Sequence, residues 1–489
     1  MNLKHQVVSG LRWSAGVRLA SQLFTWAVTL IVIRLLTPAD YGLLAMAMVF
    51  VGLLYQLAEL GLGSAVVQRL EIDTALLRKA YGVILLVHGA LCLTLFLAAP
   101  LISALMEEPR LVPIVRVLSA LFLVSAFQVL PLALLQRKLE YRRQALNDFR
   151  SVILGSSTVL AGALAGFGVW SLVLGSFVTQ LGKSIGLNRI APFPHWPDFS
   201  LRGTKQLLTF GGNLTGAWIL AAFFMQADVL IAGRWLGKEI VGFYSVAMHL
   251  ASLPAQRMFG IINPIAFPAF ARMQHDLRQL AYALLKGLRL LAFISLPLLW
   301  GISSVAPEIV SAILGPKWGP STFPLGAIAL MMPVRMVNLF IPNAMQGIGR
   351  TDLLLRNNLA AAILMPIAFL IGIQWGLTGL SLAWVIVTPI VVFENLRRAL
   401  PPLELRIGAL WKAVAPACAA AATMYAAVFG MRLLLPASLP PLAALCVLVA
   451  TGAAVYALAS LGLNRGGVDE FVTLLRQAMR KDAPTSSAP

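Results

Sequence analysis

Two stretches of this chain, 200 positions apart, are versions of one another, and that repetition limits the fold more than any single motif does. Ala27–Gln56 reads AVTLIVIRLLTPADYGLLAMAMVFVGLLYQ and Ala227–Gln256 reads ADVLIAGRWLGKEIVGFYSVAMHLASLPAQ, with ten of 30 positions identical. Shared Leu and Ala would follow from composition alone. Arg34/Arg234, Gly42/Gly242 and Gln56/Gln256 would not, and they fall in the same register. Each copy is a hydrophobic run, a short turn led by Arg and a second hydrophobic run. An internal repeat of this length reports the architecture of a whole molecule.

A further set of matches runs at an offset of 210: Gln136/Gln346, Asn147/Asn357, Gly162/Gly372, Gly166/Gly376 and Ser171/Ser381 among them. The change of offset implies about ten inserted residues between the blocks, which loops absorb readily. Gly162-x-x-x-Gly166 and its twin Gly372-x-x-x-Gly376 are spaced to let helices approach closely.

What kind of helix repeats is settled by composition. The chain has 489 residues, 59% hydrophobic and 12% charged, where soluble domains run near 45–50% apolar and about 25% charged. This is a polytopic membrane protein. A bilayer core needs about 20 apolar residues per helix, which gives about 14 spans. They lie near 14–35, 41–64, 81–105, 113–136, 147–166, 168–188, 207–233, 240–266, 287–314, 321–347, 355–374, 376–396, 407–431 and 439–463. The first run lacks a small-residue cleavage site and reads as an uncleaved span, not a signal peptide.

Net charge is +19, and the positive-inside rule explains it better than nucleic acid does. With the N-terminus in the cytoplasm, 30 of the 38 Lys and Arg fall on that side. Seven fall opposite, namely Arg34, Arg110, Arg116, Arg234, Lys238, Lys317 and Arg432, and Arg335 is left inside a span. Both termini are therefore expected to be cytoplasmic.

The fold class expected is an all-α membrane protein: two six-helix lobes related by a parallel repeat, plus two C-terminal helices. Six is even, so both lobes enter from the same side and their axis lies along the membrane normal. The lobes are expected at 1–190 and 207–400, with a cytoplasmic linker at 191–206 and the extra helices at 401–465. Residues 466–489 are read as an amphipathic cytoplasmic helix, with Val468, Phe471, Val472, Leu475 and Met479 on one face, followed by a disordered tail.

Ionisable groups inside spans are costly and mark candidate functional positions. Arg18, Gln22, Thr25 and Thr29 form a single polar stripe on the first span, where Arg18 either faces a cavity near the cytoplasmic mouth or snorkels to headgroups. Gln56 and Glu59 share a face of the second span, and Glu59 sits where a hydrated carboxylate is equally natural. His88 stands alone and reads as a core histidine. Asp228 lies at depth in the seventh span with no cation beside it in sequence, so it pairs with an Arg of another helix, binds a cation or carries a proton. His249 and Gln256 share a face of the eighth span, with Arg257 next to them. Arg335, Asn338, Pro342 and Gln346 form a stripe along the tenth span, with Asn343 alongside. The substrate-binding candidates are thus Arg18, Gln22, Gln256, Arg257, Arg335, Asn338 and Gln346. The ion-coupling candidates are Asp228, Glu59 and His249.

Arg18, Arg257 and Arg335 against Asp228 and Glu59 make a modestly cationic lumen, suited to an anionic and phosphorylated substrate, since arginine forks match phosphate oxygens. Catalytic signatures are missing: there is no HExxH, Walker A, CxxC or dinucleotide fingerprint. Cys92, Cys418 and Cys446 lack metal or redox spacing. No enzyme activity, cofactor, metal or nucleic-acid partner is expected.

The opening SGLRWSAGVRLASQLFTWAVTLIVIRLLTPADYGLLAMAMVFVGLLYQLAELGLGSAVVQR resembles the start of polysaccharide and lipopolysaccharide exporters. The later QADVLIAGRWLGKEIVGFYSVAMHLASLP, GIGRTDLLLRNN and GLTGLSLAWVI resemble the same family, the Wzx-type oligosaccharide-lipid flippases of the multidrug/oligosaccharidyl-lipid/polysaccharide superfamily. That resemblance covers essentially the whole chain. It implies two six-helix lobes around a V-shaped cavity in the bacterial cytoplasmic membrane. A polyprenyl-pyrophosphate-linked oligosaccharide would be turned there from inner to outer leaflet by alternating access. It also implies a polysaccharide polymerase and a chain-length regulator as partners besides the bilayer. Lumen arginines would engage the pyrophosphate, and Arg18, Arg257 and Arg335 are the positions that could do so. Asp228 matches the Asp that opens the family's second-half motif. A cation-coupled multidrug antiporter and a membrane glycan polymerase or ligase are the alternatives.

Overall fold

The computed structural model describes residues 3–58, 73–138, 140–200, 226–337, 339–436 and 438–480, and every regular element among them is a helix. In order these are α1 Leu3–Leu35, α2 Pro38–Ala58, α3 Thr74–Met106, α4 Leu111–Arg137, α5 Tyr141–Leu164 and α6 Val169–Ile190. Then come α7 at 226–235 and α8 Gly237–Arg272. They are followed by α9 Leu277–Ser304, α10 Thr322–Val337, α11 Phe340–Gly347, α12 Thr351–Gly372 and α13 Gly376–Ala399. Last are α14 Ile407–Leu434, α15 Pro441–Leu463 and α16 Arg465–Arg480. The chain packs as two compact units, Met1–Ser245 and Val246–Pro489.

Short sequence signals set the helix ends. Thr37 and Asp40 form a reciprocal cap at the start of α2. The Thr37 N–H and hydroxyl donate to Asp40 Oδ2 at 2.9 and 2.7 Å, and the Asp40 N–H donates to Thr37 Oγ1 at 3.3 Å. Pro38 fits the first helical position, where its missing N–H costs nothing. Asp40 Oδ1 also accepts from the Val169 N–H at 2.9 Å, so one carboxylate starts α2 and ties it to the start of α6.

In the first unit, Val28 and Val32 of α1 and Leu36 just beyond it bury against Ala163 of α5 and Leu172 of α6. Val83, Ile84 and Ala80 of α3 meet Ala126, Leu130 and Ala133 of α4. In the second unit, Ala292 and Leu296 of α9 pack on Ala417 and Ala421 of α14. The fork of Arg432 grips both oxygens of Glu308, each at 2.7 Å. α16 lies on α9, where Phe471 meets Phe293 at 5.4 Å between ring centroids and Glu470 accepts from Arg289 at 2.6 Å.

Outward faces carry large apolar side chains such as Leu97, Leu101, Leu433 and Leu458. That surface suits lipid, not water. Eight stretches among the described residues are long and apolar enough to cross a membrane. This is fewer than the 14 expected from the sequence. α5, α6 and α8 are present as helices but carry charges such as Arg150, Lys183 and Arg257. The stretch Asp352–Ala399 holds two helices. The molecule is a multi-pass membrane protein.

One expectation needs correcting. The repeated GxxxG spacing is not a helix-packing motif at both glycines. A Cβ on Gly162 would press on Ser171, and one on Gly372 would press on the Gly379 backbone, so these two do let helices close up. Gly166 and Gly376 instead sit in the corners with φ of 78° and 61°, a left-handed conformation that glycine adopts without strain. The tenth span comprises α10, which ends at Val337, and α11, which begins at Phe340; Asn338 between them lies outside the described residues.

Candidate functional site

In the first unit, α1 presents Gln22, Thr25 and Thr29 half-buried, with Thr25 Oγ1 donating to the Ser21 carbonyl at 2.9 Å. The side chain of Arg18 and the whole of Glu59 lie outside the described residues, as does the side chain of Gln56.

Asp228 is buried to 3% exposure on α7. Tyr244 of α8, itself fully buried, donates its hydroxyl to Asp228 Oδ2 at 2.5 Å, and the Val229 N–H donates to Oδ1 at 2.8 Å. α7 and α8 form a hairpin turning at Gly237, whose φ is 79°, and the phenol–carboxylate pair joins its two arms. A charge-assisted O–H···O bond of this kind is short and strong. The tyrosine was not visible as a partner in the sequence, because 16 residues and a turn separate the two groups.

The second unit gathers more of the candidates. His249, Gln256 and Arg257 are exposed on α8. Gln256 Nε2 donates to Ser252 Oγ at 3.0 Å, and Ser252 Oγ donates to the His249 carbonyl at 3.0 Å, so one open polar face runs along the helix. It continues to Asn263, seven residues beyond Gln256, where Asn343 of α11 donates its Nδ2 to Asn263 Oδ1 at 2.9 Å. Gln346 is exposed on the next turn of α11. Asn338 lies outside the described residues.

Close packing brings α11 to this position. A Cβ on Gly347 would lie 3.0 Å from Phe270 and Ala271 of α8, and one on Gly287 of α9 would lie 3.0 Å from the Phe340 ring. Arg335 of α10 lays its guanidinium over the buried indole of Trp384, with Cζ 4.3 Å from the ring centroid. Trp384 is backed by Phe369 at 5.3 Å. Stacking fixes the plane of the guanidinium. Ser252, Asn263 and Trp384 were missed in the sequence. The heptad spacing 249–256–263 was a usable signal, whereas nothing local marked Trp384 as the stacking partner.

These positions hold amide, imidazole and guanidinium groups on faces that are not closed off by packing. Such a set binds hydroxyls and anionic oxygens; it contains no nucleophile–base pair.

Residues 31–322 match a family described as polysaccharide biosynthesis protein. The chain is similar to the lipopolysaccharide biosynthesis protein WzxC of Escherichia coli K12, 26% identical over 390 residues that make up 79% of each protein. It is also similar to the succinoglycan biosynthesis transport protein ExoT of Rhizobium meliloti, 26% identical over 345 residues, 70% of each. Among solved structures, the lipid II flippase MurJ in an inward closed conformation superposes with a TM-score of 0.71 at 15% identity, covering 92% of this chain and 99% of that one.

Proposed function

The chain belongs to the polysaccharide biosynthesis protein family, and from that premise we propose that it carries polyprenyl-pyrophosphate-linked oligosaccharides from the inner to the outer leaflet of the bacterial cytoplasmic membrane. The observation that carries this reading is the open polar face of α8 and α11 with Arg335 stacked on Trp384, in a chain whose relatives make or transport bacterial polysaccharides. The glycan meets the amides of Gln22, Gln256, Asn343 and Gln346. Arg18, Arg257 and Arg335 engage the pyrophosphate, and the lipid tail stays in the bilayer.

Fourteen spans in two six-helix lobes plus two helices, with both termini in the cytoplasm, are part of this reading. The charge distribution of 30 against seven supports that orientation. An ion gradient drives the cycle, with Asp228, Glu59 and His249 as the coupling candidates. A polymerase and a chain-length regulator act on the product outside.

Deletion of the gene tests the class. Loss of a flippase leaves complete lipid-linked repeat units on the cytoplasmic leaflet, out of reach of an impermeant reagent added to spheroplasts. Single units exposed on the outer face would instead identify a polymerase and overturn the proposal.

A further inference from the structure

At one end of the first unit, two residues related by the sequence repeat pack on each other's helices in the same way. A Cβ added to Gly42 of α2 would collide with the Lys238 carbonyl of α8, and one added to Gly242 of α8 would collide with the Pro38 carbonyl of α2. Pro38 and Lys238 are themselves 200 residues apart, so the crossing is a local pseudo-two-fold contact between the two repeat copies, backbone against backbone. Gly233 adds to it, since its Cβ would lie 2.9 Å from Met106 Sδ and 3.3 Å from Met46 Cγ.

Charges frame this crossing. α3 ends at Glu107, a left-handed cap with φ of 52°, and the turn is closed by Ser103 Oγ donating to the Glu108 carbonyl at 3.0 Å. The turn points two carboxylates at the α7–α8 hairpin: Glu107 pairs with Arg234, and Glu108 Oε2 accepts from Lys238 Nζ at 2.7 Å. Arg234 and Lys238 belong to the seven cations that the positive-inside rule places outside. Asp228 and Tyr244 join the arms of the hairpin, so it moves as one body.

We propose that the hairpin 226–245 is the extracytoplasmic latch of the transport cycle, seated through Gly42 and Gly242 and held by the Glu107–Arg234 and Glu108–Lys238 pairs. This rests on the transport reading above. The Glu107–Arg234 pair is half-exposed and the Glu108–Lys238 pair largely buried, and water can take over the charges as they part. Met46 and Met106 are buried at the crossing, and their flexible thioether chains repack readily when the hairpin leaves.

The test is a distance measurement on the full chain in nanodiscs without substrate. Cys92, Cys418 and Cys446 are replaced by Ala, and spin labels are placed at the exposed positions Arg110→Cys and Glu239→Cys. The latch predicts a short-distance population that Lys238→Glu depletes by about fivefold or more, the low end of coupling between coupled states. Adding Glu108→Lys to that variant re-forms the pair with its signs exchanged and restores the short distance, which also shows that the variants fold. An unchanged distribution in Lys238→Glu, or a loss that Glu108→Lys does not reverse, overturns the latch. Because no substrate is present, a failure of the chain to move oligosaccharide lipid would sink the transport reading without deciding this distance, and the reverse also holds.

Discussion

Tyr244 decides what Asp228 is for at the level of single residues. With its hydroxyl on Oδ2, the carboxylate has a donor inside the protein, and removing that donor leaves a buried acceptor with less than it had. Tyr244→Phe is expected to lower unfolding stability by about 1–3 kcal/mol, read as a lower Tm in detergent. An unchanged Tm would mean that the pair is not structural and would move Asp228 toward ion coupling alone. The sequence showed that Asp228 was out of place in an apolar run, because a carboxylate at depth is costly. It did not show the partner, since hydrogen bonding across a hairpin depends on where the turn falls. The face of His249 and Gln256 was legible from a spacing of seven, whereas its extension to Asn263 needed the contact with Asn343 to stand out.

Among the elements, the corners of the repeat show how a spacing can be right and its use misread. Gly162 and Gly166 match Gly372 and Gly376 residue for residue, yet only the first of each pair packs against a neighbouring helix. A Cβ on Gly166 meets nothing, so Gly166→Ala is destabilising only through its φ of 78°, by about 1–2 kcal/mol. Gly372→Ala instead forces α12 and α13 apart, by about 1–3 kcal/mol of overpacking. Thermal melts separate the two mechanisms, because Gly166→Asn should recover part of the loss and Gly372→Asn should worsen it. α16 was legible as amphipathic, but its apolar face meets Phe293 of α9 through Phe471, a docking that periodicity cannot name.

For the molecule as a whole, the repeat carried the most information. Composition gave the membrane, the offsets gave two related halves, and the contact of Gly42 and Gly242 places repeat-related residues opposite one another in space. The number of spans was harder to read, because helices that carry charges fall below an apolar threshold, as α5, α6 and α8 do here.

The most direct measurement places purified chain in vesicles that carry a polyprenyl-pyrophosphate-linked oligosaccharide in the inner leaflet, with an impermeant glycan-modifying reagent outside. The glycan should become reactive faster than in protein-free vesicles. Arg335→Ala should slow that exposure by about tenfold, the ~1.4 kcal/mol expected from losing one charge-assisted hydrogen bond to phosphate. A rate equal to that of protein-free vesicles would contradict the transport of lipid-linked oligosaccharide by this chain.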